Sequence, residues 1–199
     1  MGEPPSLLNA SGATNFIYEL ETKDEDLEKI NSLKYIKQRF KYVTNIKFIG
    51  AVDKIFSKNL LFIDSLMENI IGIMLLYKFR DGVSKCSEIA DKLENDDPLN
   101  FQVPGLYTYK IKKLFYAIAL GMQPSKLWNG DEEANGGYII VKKDGDVLAY
   151  YLYNRNNFEK YLLNNTKLET GKTTRHNFAK IYEDNGKKYI ILNLQVRFK

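Results

Sequence analysis

Asn193, Gln195 and Arg197 stand at alternate positions in the closing run Leu192-Asn193-Leu194-Gln195-Val196-Arg197-Phe198. In a strand, successive side chains point to opposite faces, so this spacing predicts Leu192, Leu194, Val196 and Phe198 on one face and the three polar groups on the other. Asn, Gln and Arg are the side chains that pair bidentately with purine edges in the major groove of duplex DNA. A solvated edge strand would carry the same pattern, and the spacing leaves both readings open. A second group lies upstream. Lys167, Lys172, Thr173, Thr174, Arg175 and His176 form a polar stretch able to clamp a phosphate backbone, or simply an exposed loop. In a third group, Arg155 and Asn156 stand where a helix is expected to begin. Helix N-termini and arginines suit phosphates, although capping by Asn154 accounts for the local structure equally well.

Metal-assisted phosphodiester hydrolysis needs a different set: two carboxylates to hold Mg²⁺ and a lysine to steady the attacking water or the phosphate. Glu21-Thr22-Lys23 has the acid-x-Lys form, but no Asp precedes it at the end of its strand. Asp144-x-Asp146 is accounted for by turn chemistry, and Asp131-Glu132-Glu133 lacks a following acid-x-Lys. No catalytic or metal-ligating residue is therefore assigned. Cys86 is the sole cysteine and His176 the sole histidine, which excludes an intramolecular disulfide and a Cys- or His-rich metal site. A reduced, cytoplasmic setting is expected.

Charge supports a polyanion partner. Residues 134–199 carry 12 basic against 6 acidic side chains, while residues 1–133 carry 17 against 19. A basic part beside a slightly acidic part suggests one face turned to nucleic acid. No membrane partner is expected. The most apolar stretch, Leu60 to Phe79, is interrupted by Asp64, Glu68 and Asn69 and reads as a buried helix.

Patterning places these groups on an α+β fold, a mainly helical first part followed by a β-rich part with two hairpins. Thr14 to Leu20 alternates as a strand. Asp24 is expected to cap a helix over Glu25–Leu33, and Ser57 a long helix reaching Lys78 and stopped by Asp81-Gly82. Two more helices are expected over Lys85–Leu93 and Thr108–Leu120, with a loop from Asn95 to Gly105 between them. Asp144-Gly145 and Asn185-Gly186 each sit between β-rich runs as hairpin turns. A helix over Asn154–Leu163 and a polar loop from Asn164 to Thr174 lie between the hairpins. Two parts are expected: 1–130, mainly helical with one or two strands, and 131–199, β-rich and DNA-recognising, or else one continuous domain.

The run Gly136-Gly137-Tyr138-Ile139-Ile140-Val141, then Asp144-Gly145, Tyr153-Asn154-Arg155-Asn156-Asn157-Phe158 and Tyr161 to Glu169, resembles the HpaII-type restriction endonuclease family. So do Arg175-His176-Asn177-Phe178, the closing run, and Ser6 to Ser11 with Thr14-Asn15-Phe16. The resemblance implies a type II restriction endonuclease, a magnesium-dependent enzyme that binds double-stranded DNA and cuts both strands at a short palindrome, for which a two-fold homodimer is suited. Members of that family are longer, with the Leu7–Ser11 block inside them, behind a strand that carries a nuclease-type lysine. The expectation is a chain truncated at that block, without the metal-binding catalytic motif and with no Mg²⁺ bound specifically. The alternative is an inactive DNA-binding or protein-interaction remnant that assembles with another chain.

Overall fold

The computed structural model describes residues 5–23, 26–132, 155–170 and 179–199 in full, and 137–141 and 147–151 as backbone. The fold is α+β, built on two antiparallel sheets that each draw strands from both ends of the chain. The larger sheet has the order β3-β2-β8-β7, with β2 Asn15–Thr22, β3 Val43–Ala51, β7 Tyr182–Asp184 and β8 Lys187–Asn193. The smaller has the order β1-β9-β6, with β1 Ser6–Leu8, β6 Thr166–Leu168 and β9 Val196–Phe198. A separate hairpin pairs β4 Gly137–Val141 with β5 Val147–Tyr151.

Strand β2 shows why the large sheet forms. Phe16, Tyr18 and Leu20 are buried on one face, as strict alternation requires, and Tyr18 meets α4 Met67–Leu76, its hydroxyl donating to Glu68 O. Gly72 of α4 lets the helix approach closely, since a Cβ there would lie 2.5 Å from Tyr18 Cε1. The β7–β8 turn is Asn185-Gly186, both at positive φ (50° and 73°), the geometry that a two-residue hairpin of matching twist demands. The Asp144-Gly145 turn lies outside the described residues, although the strands it was expected to join do pair.

Several sequence expectations are corrected. The expected long helix from Ser57 is two helices, α3 Lys54–Leu60 and α4, separated by turns. Asp53 caps α3, accepting from Ile55 N at 2.9 Å, whereas Ser57 sits inside it and donates to Glu68 Oε1 at 2.5 Å. The cap of α1 Leu27–Ser32 is Asp26, not Asp24. A short α2 Ile36–Phe40 precedes β3. Helix α5 Cys86–Asp96 runs past its expected end, and α6 Leu106–Ala119 begins two residues early. The polar stretch after α7 Arg155–Asn165 contains β6, a strand that sequence reading assigned to a loop. The closing run is not one strand: β8 ends at Asn193, the chain crosses from the large sheet to the small one, and β9 begins at Val196. No helix among the described residues is long and apolar enough to cross a membrane.

Candidate nucleic-acid interface

The small sheet has one apolar face and one charged face, and its register decides which residues meet. Leu8 and Leu168 both lie opposite Val196, and all three are buried. On the other face Arg197 lies directly opposite Lys167 on one side and Ser6 on the other. A further bridge pairs Lys167 with Lys85 at the start of α5. Ser6, Arg197, Lys167 and Lys85 thus form one row across neighbouring backbones, three of the four cationic. Side chains opposed in this way have Cβ atoms roughly 4.5–5.5 Å apart. Like charges at that spacing repel, and acids partly offset them: Lys167 Nζ is 3.6 Å from Glu169 and Lys85 Nζ 2.5 Å from Glu88. Lys199 extends the basic set beyond β9, its ammonium donating to the Asn164 carbonyl. Below the sheet, Lys78 Nζ donates to Leu168 O at 2.6 Å, and burial pushes its ammonium down to about 8.

Arg197 and Lys167, both selected from sequence, are therefore brought together. Asn193 and Gln195 are not on an open polar face. Each is only 6% exposed. Asn193 Nδ2 donates to Ser11 O at 2.8 Å and to Asn15 Oδ1 at 2.6 Å, pinning β8 to the turn before β2. With its amide oxygen turned toward Arg197, Gln195 accepts from Nε at 3.0 Å and Nη2 at 3.2 Å. In this structure it holds the guanidinium. Alternation failed here because the switch between sheets resets the side-chain phase that a single strand would keep.

Arg155 opens α7, whose 11 residues put it roughly 16 Å from the helix end that feeds β6. Its guanidinium stacks over Tyr116, 4.2 Å from the ring centroid, and its Nε donates to Glu159 Oε1 at 3.0 Å. Glu159 Oε1 also accepts from Lys113 Nζ at 2.8 Å. Burial pushes the Glu159 carboxyl up, but those two hydrogen bonds outweigh it and hold it below its usual value. Asn156, next in the helix, is exposed. Lys172, Thr173, Thr174, Arg175 and His176 lie outside the described residues. Their described neighbours are anchored beside the sheet junction: Glu169 N donates to Gln195 O at 2.9 Å and Ala179 N to Ile191 O at 3.1 Å. Sequence reading missed Lys85, which no local pattern ties to Lys167.

Among the described residues no three His, Cys, Asp or Glu side chains gather to hold a metal ion. Glu21 accepts from Asn45 Nδ2 at 3.4 Å, and Glu19, on the same face of β2, is paired with Lys187 Nζ at 3.1 Å. This donor set does not fit Mg²⁺, which takes carboxylates in near-octahedral geometry.

Residues 1–198 match the family profile of the HpaII restriction endonuclease. The chain is similar to the type II restriction enzyme HpaII of Haemophilus parainfluenzae, with 38% identity over 206 aligned residues that cover 100% of this chain. It spans 58% of the length of that curated relative. No solved structure matches.

Proposed function

The chain belongs to the HpaII restriction endonuclease family, and on that premise we propose that it is the duplex-binding portion of a type II restriction endonuclease, gripping DNA phosphates with the charged face of its small sheet. The observation that carries this reading is the cross-strand pairing of Arg197 with Lys167. Two cations fixed side by side on a rigid sheet, one of them oriented by Gln195, suit neighbouring phosphate oxygens. Lys85, bridged to Lys167, extends the grip on one side. Magnesium-dependent cleavage belongs to the family, and no catalytic step is assigned to the carboxylates described above. A palindromic site is met symmetrically by two copies related by a two-fold axis.

The test is equilibrium binding of the purified chain to a short duplex across a salt series. Lys167→Ala and Arg197→Ala should each lower affinity for every duplex and reduce the slope of log K against log salt by about one. The same chain with Mg²⁺ should leave plasmid uncut. Unchanged affinity and slope in both variants would refute the sheet as a phosphate surface, and cutting abolished by Glu21→Gln would refute the absence of a catalytic set. A second reading, assembly with another polypeptide, is favoured by the exposed apolar residues Leu61, Phe62 and Leu127, which are 60%, 58% and 69% exposed.

A further inference from the structure

Asn193 and Gln195 are buried, whereas α7 presents other polar groups at the surface. Its buried residues are Phe158, Glu159, Tyr161, Leu162 and Leu163. After Arg155, its exposed residues are Asn156, Asn157, Lys160 and Asn164. At 100° per residue these four fall within an arc of about 100°, one stripe of the helix. Among the described residues, no hydrogen bond or ion pair engages their side chains. A surface cleft of about 340 Å³ follows the stripe, lined by Asn157, Lys160, Tyr161, Asn164 and Asn165.

The helix carries a single carboxylate, Glu159, which is turned inward and neutralised by Lys113 and Arg155. No negative charge faces outward. The stripe ends where α7 passes into β6, beside Lys167, Arg197 and Lys199. The Lys199 ammonium donates to the Asn164 carbonyl, so a cation stands at the helix end where the dipole is negative and would otherwise repel phosphate. From Asn156 to Asn164 the stripe measures about 12 Å along the axis. That length spans roughly three to four base steps, and the major groove, about 12 Å wide, admits one helix.

We propose that α7 is the base-reading element, laid in the major groove with the amides of Asn156, Asn157 and Asn164 and the ammonium of Lys160 on base edges, while the small sheet holds the flanking phosphates. This rests on the duplex-binding reading above, and it deepens that reading by separating readout from grip. Each amide can donate and accept at once, which is what base-edge discrimination uses.

The experiment takes the full chain and a pool of duplexes with a randomised core, selects the sequence that wild type enriches, and compares affinity for that duplex with affinity for the unselected pool. Asn157→Ala/Asn164→Ala should reduce the selected-to-pool ratio about tenfold or more, with pool affinity and salt slope unchanged. Lys160→Ala should lower the ratio as well. Alanine is a better helix former than asparagine, so these variants keep the fold, and circular dichroism verifies it. A ratio that survives the double substitution overturns α7 as the reader while leaving the sheet reading intact. Enrichment of no sequence by wild type overturns it too. Loss of pool affinity in Lys167→Ala or Arg197→Ala but not in Asn157→Ala/Asn164→Ala supports the division of labour.

Discussion

Glu68 is a carboxylate in the first turn of α4, 4% exposed, and its Oε1 takes the Ser57 hydroxyl hydrogen at 2.5 Å. Burial pushes its pKa up against the pull of that hydrogen bond, and Asp64 adds to the rise. A folded-state value above the unfolded one means that the folded chain holds the proton more tightly. The stability this contributes is full below the unfolded value of 4.5 and is lost as pH climbs through the folded one. Glu68→Gln keeps an oxygen for Ser57 and removes the titration. We expect its melting temperature to exceed that of wild type at pH 8 and to converge with it near pH 4, each kcal/mol of relief giving about 2–4 °C. Thermal melts at pH 4, 6 and 8 check this, and a variant less stable than wild type at pH 8 would mean that the ionised carboxylate is stabilising. Cys86 obeys the same logic at higher pH. Burial pushes its thiol up to about 12, so it packs as a small apolar group.

Strand β3 is an edge strand, and such edges invite pairing with other chains. Here α4 and the turn after it blunt the edge: Phe48 N donates to Asn69 Oδ1 at 3.1 Å, and Arg80 Nη1 donates to Thr44 O at 3.4 Å. Helix α4 is also coupled to β2, the strand next to β3, by the Gly72–Tyr18 approach, where Tyr18 is fully buried and its hydroxyl donates to Glu68 O at 3.1 Å. Gly72→Ala would gain about 1 kcal/mol of helix propensity. Its Cβ, however, would stand 2.5 Å from Tyr18 Cε1, in a ring that is fully buried. Overpacking of this kind costs about 1–3 kcal/mol, so the net change should be destabilising, read as a lower urea midpoint at unchanged m. A midpoint that rises would show that α4 can slide outward. At this scale the sequence was partly legible. Asn185-Gly186 signalled its hairpin because both residues must take positive φ. Ser57 misled because any serine before an apolar run looks like a cap, and only the tertiary contact with Glu68 gives it another task. Strand β6 left no signal because three residues adjoining a helix are held extended by pairing with β9. In α7 the stripe of Asn156, Asn157, Lys160 and Asn164 follows from helical spacing alone.

In the whole molecule the two ends of the chain are neighbours. Strand β9 lies between β1 and β6, and β8 lies against β2, so both sheets close only when residues nearly the full chain length apart have met. Composition divides the chain near residue 130 into a helical and a β-rich part, but strand pairing is not local and composition cannot report it. We therefore expect the chain to unfold as a single unit. Trp128, the one tryptophan, rests on the α3 side with its ring 5.6 Å from Phe62, and its fluorescence follows the first part. Far-UV circular dichroism follows both parts, so the two urea transitions should coincide. Removing residues 196–199 takes away Val196, which is fully buried, together with the strand that joins β1 to β6. The shortened chain should lose the cooperative transition in both signals, including that of Trp128, which packs on Phe62. If Trp128 still reported a sharp transition near the wild-type midpoint, the first part would fold by itself, and the charged face of the small sheet would be an appendage to a helical domain. Because Arg197 and Lys167 are aligned only by β9, that outcome would also predict a grip on DNA that softens well below the temperature at which the helices melt, whereas a single unit must lose both together.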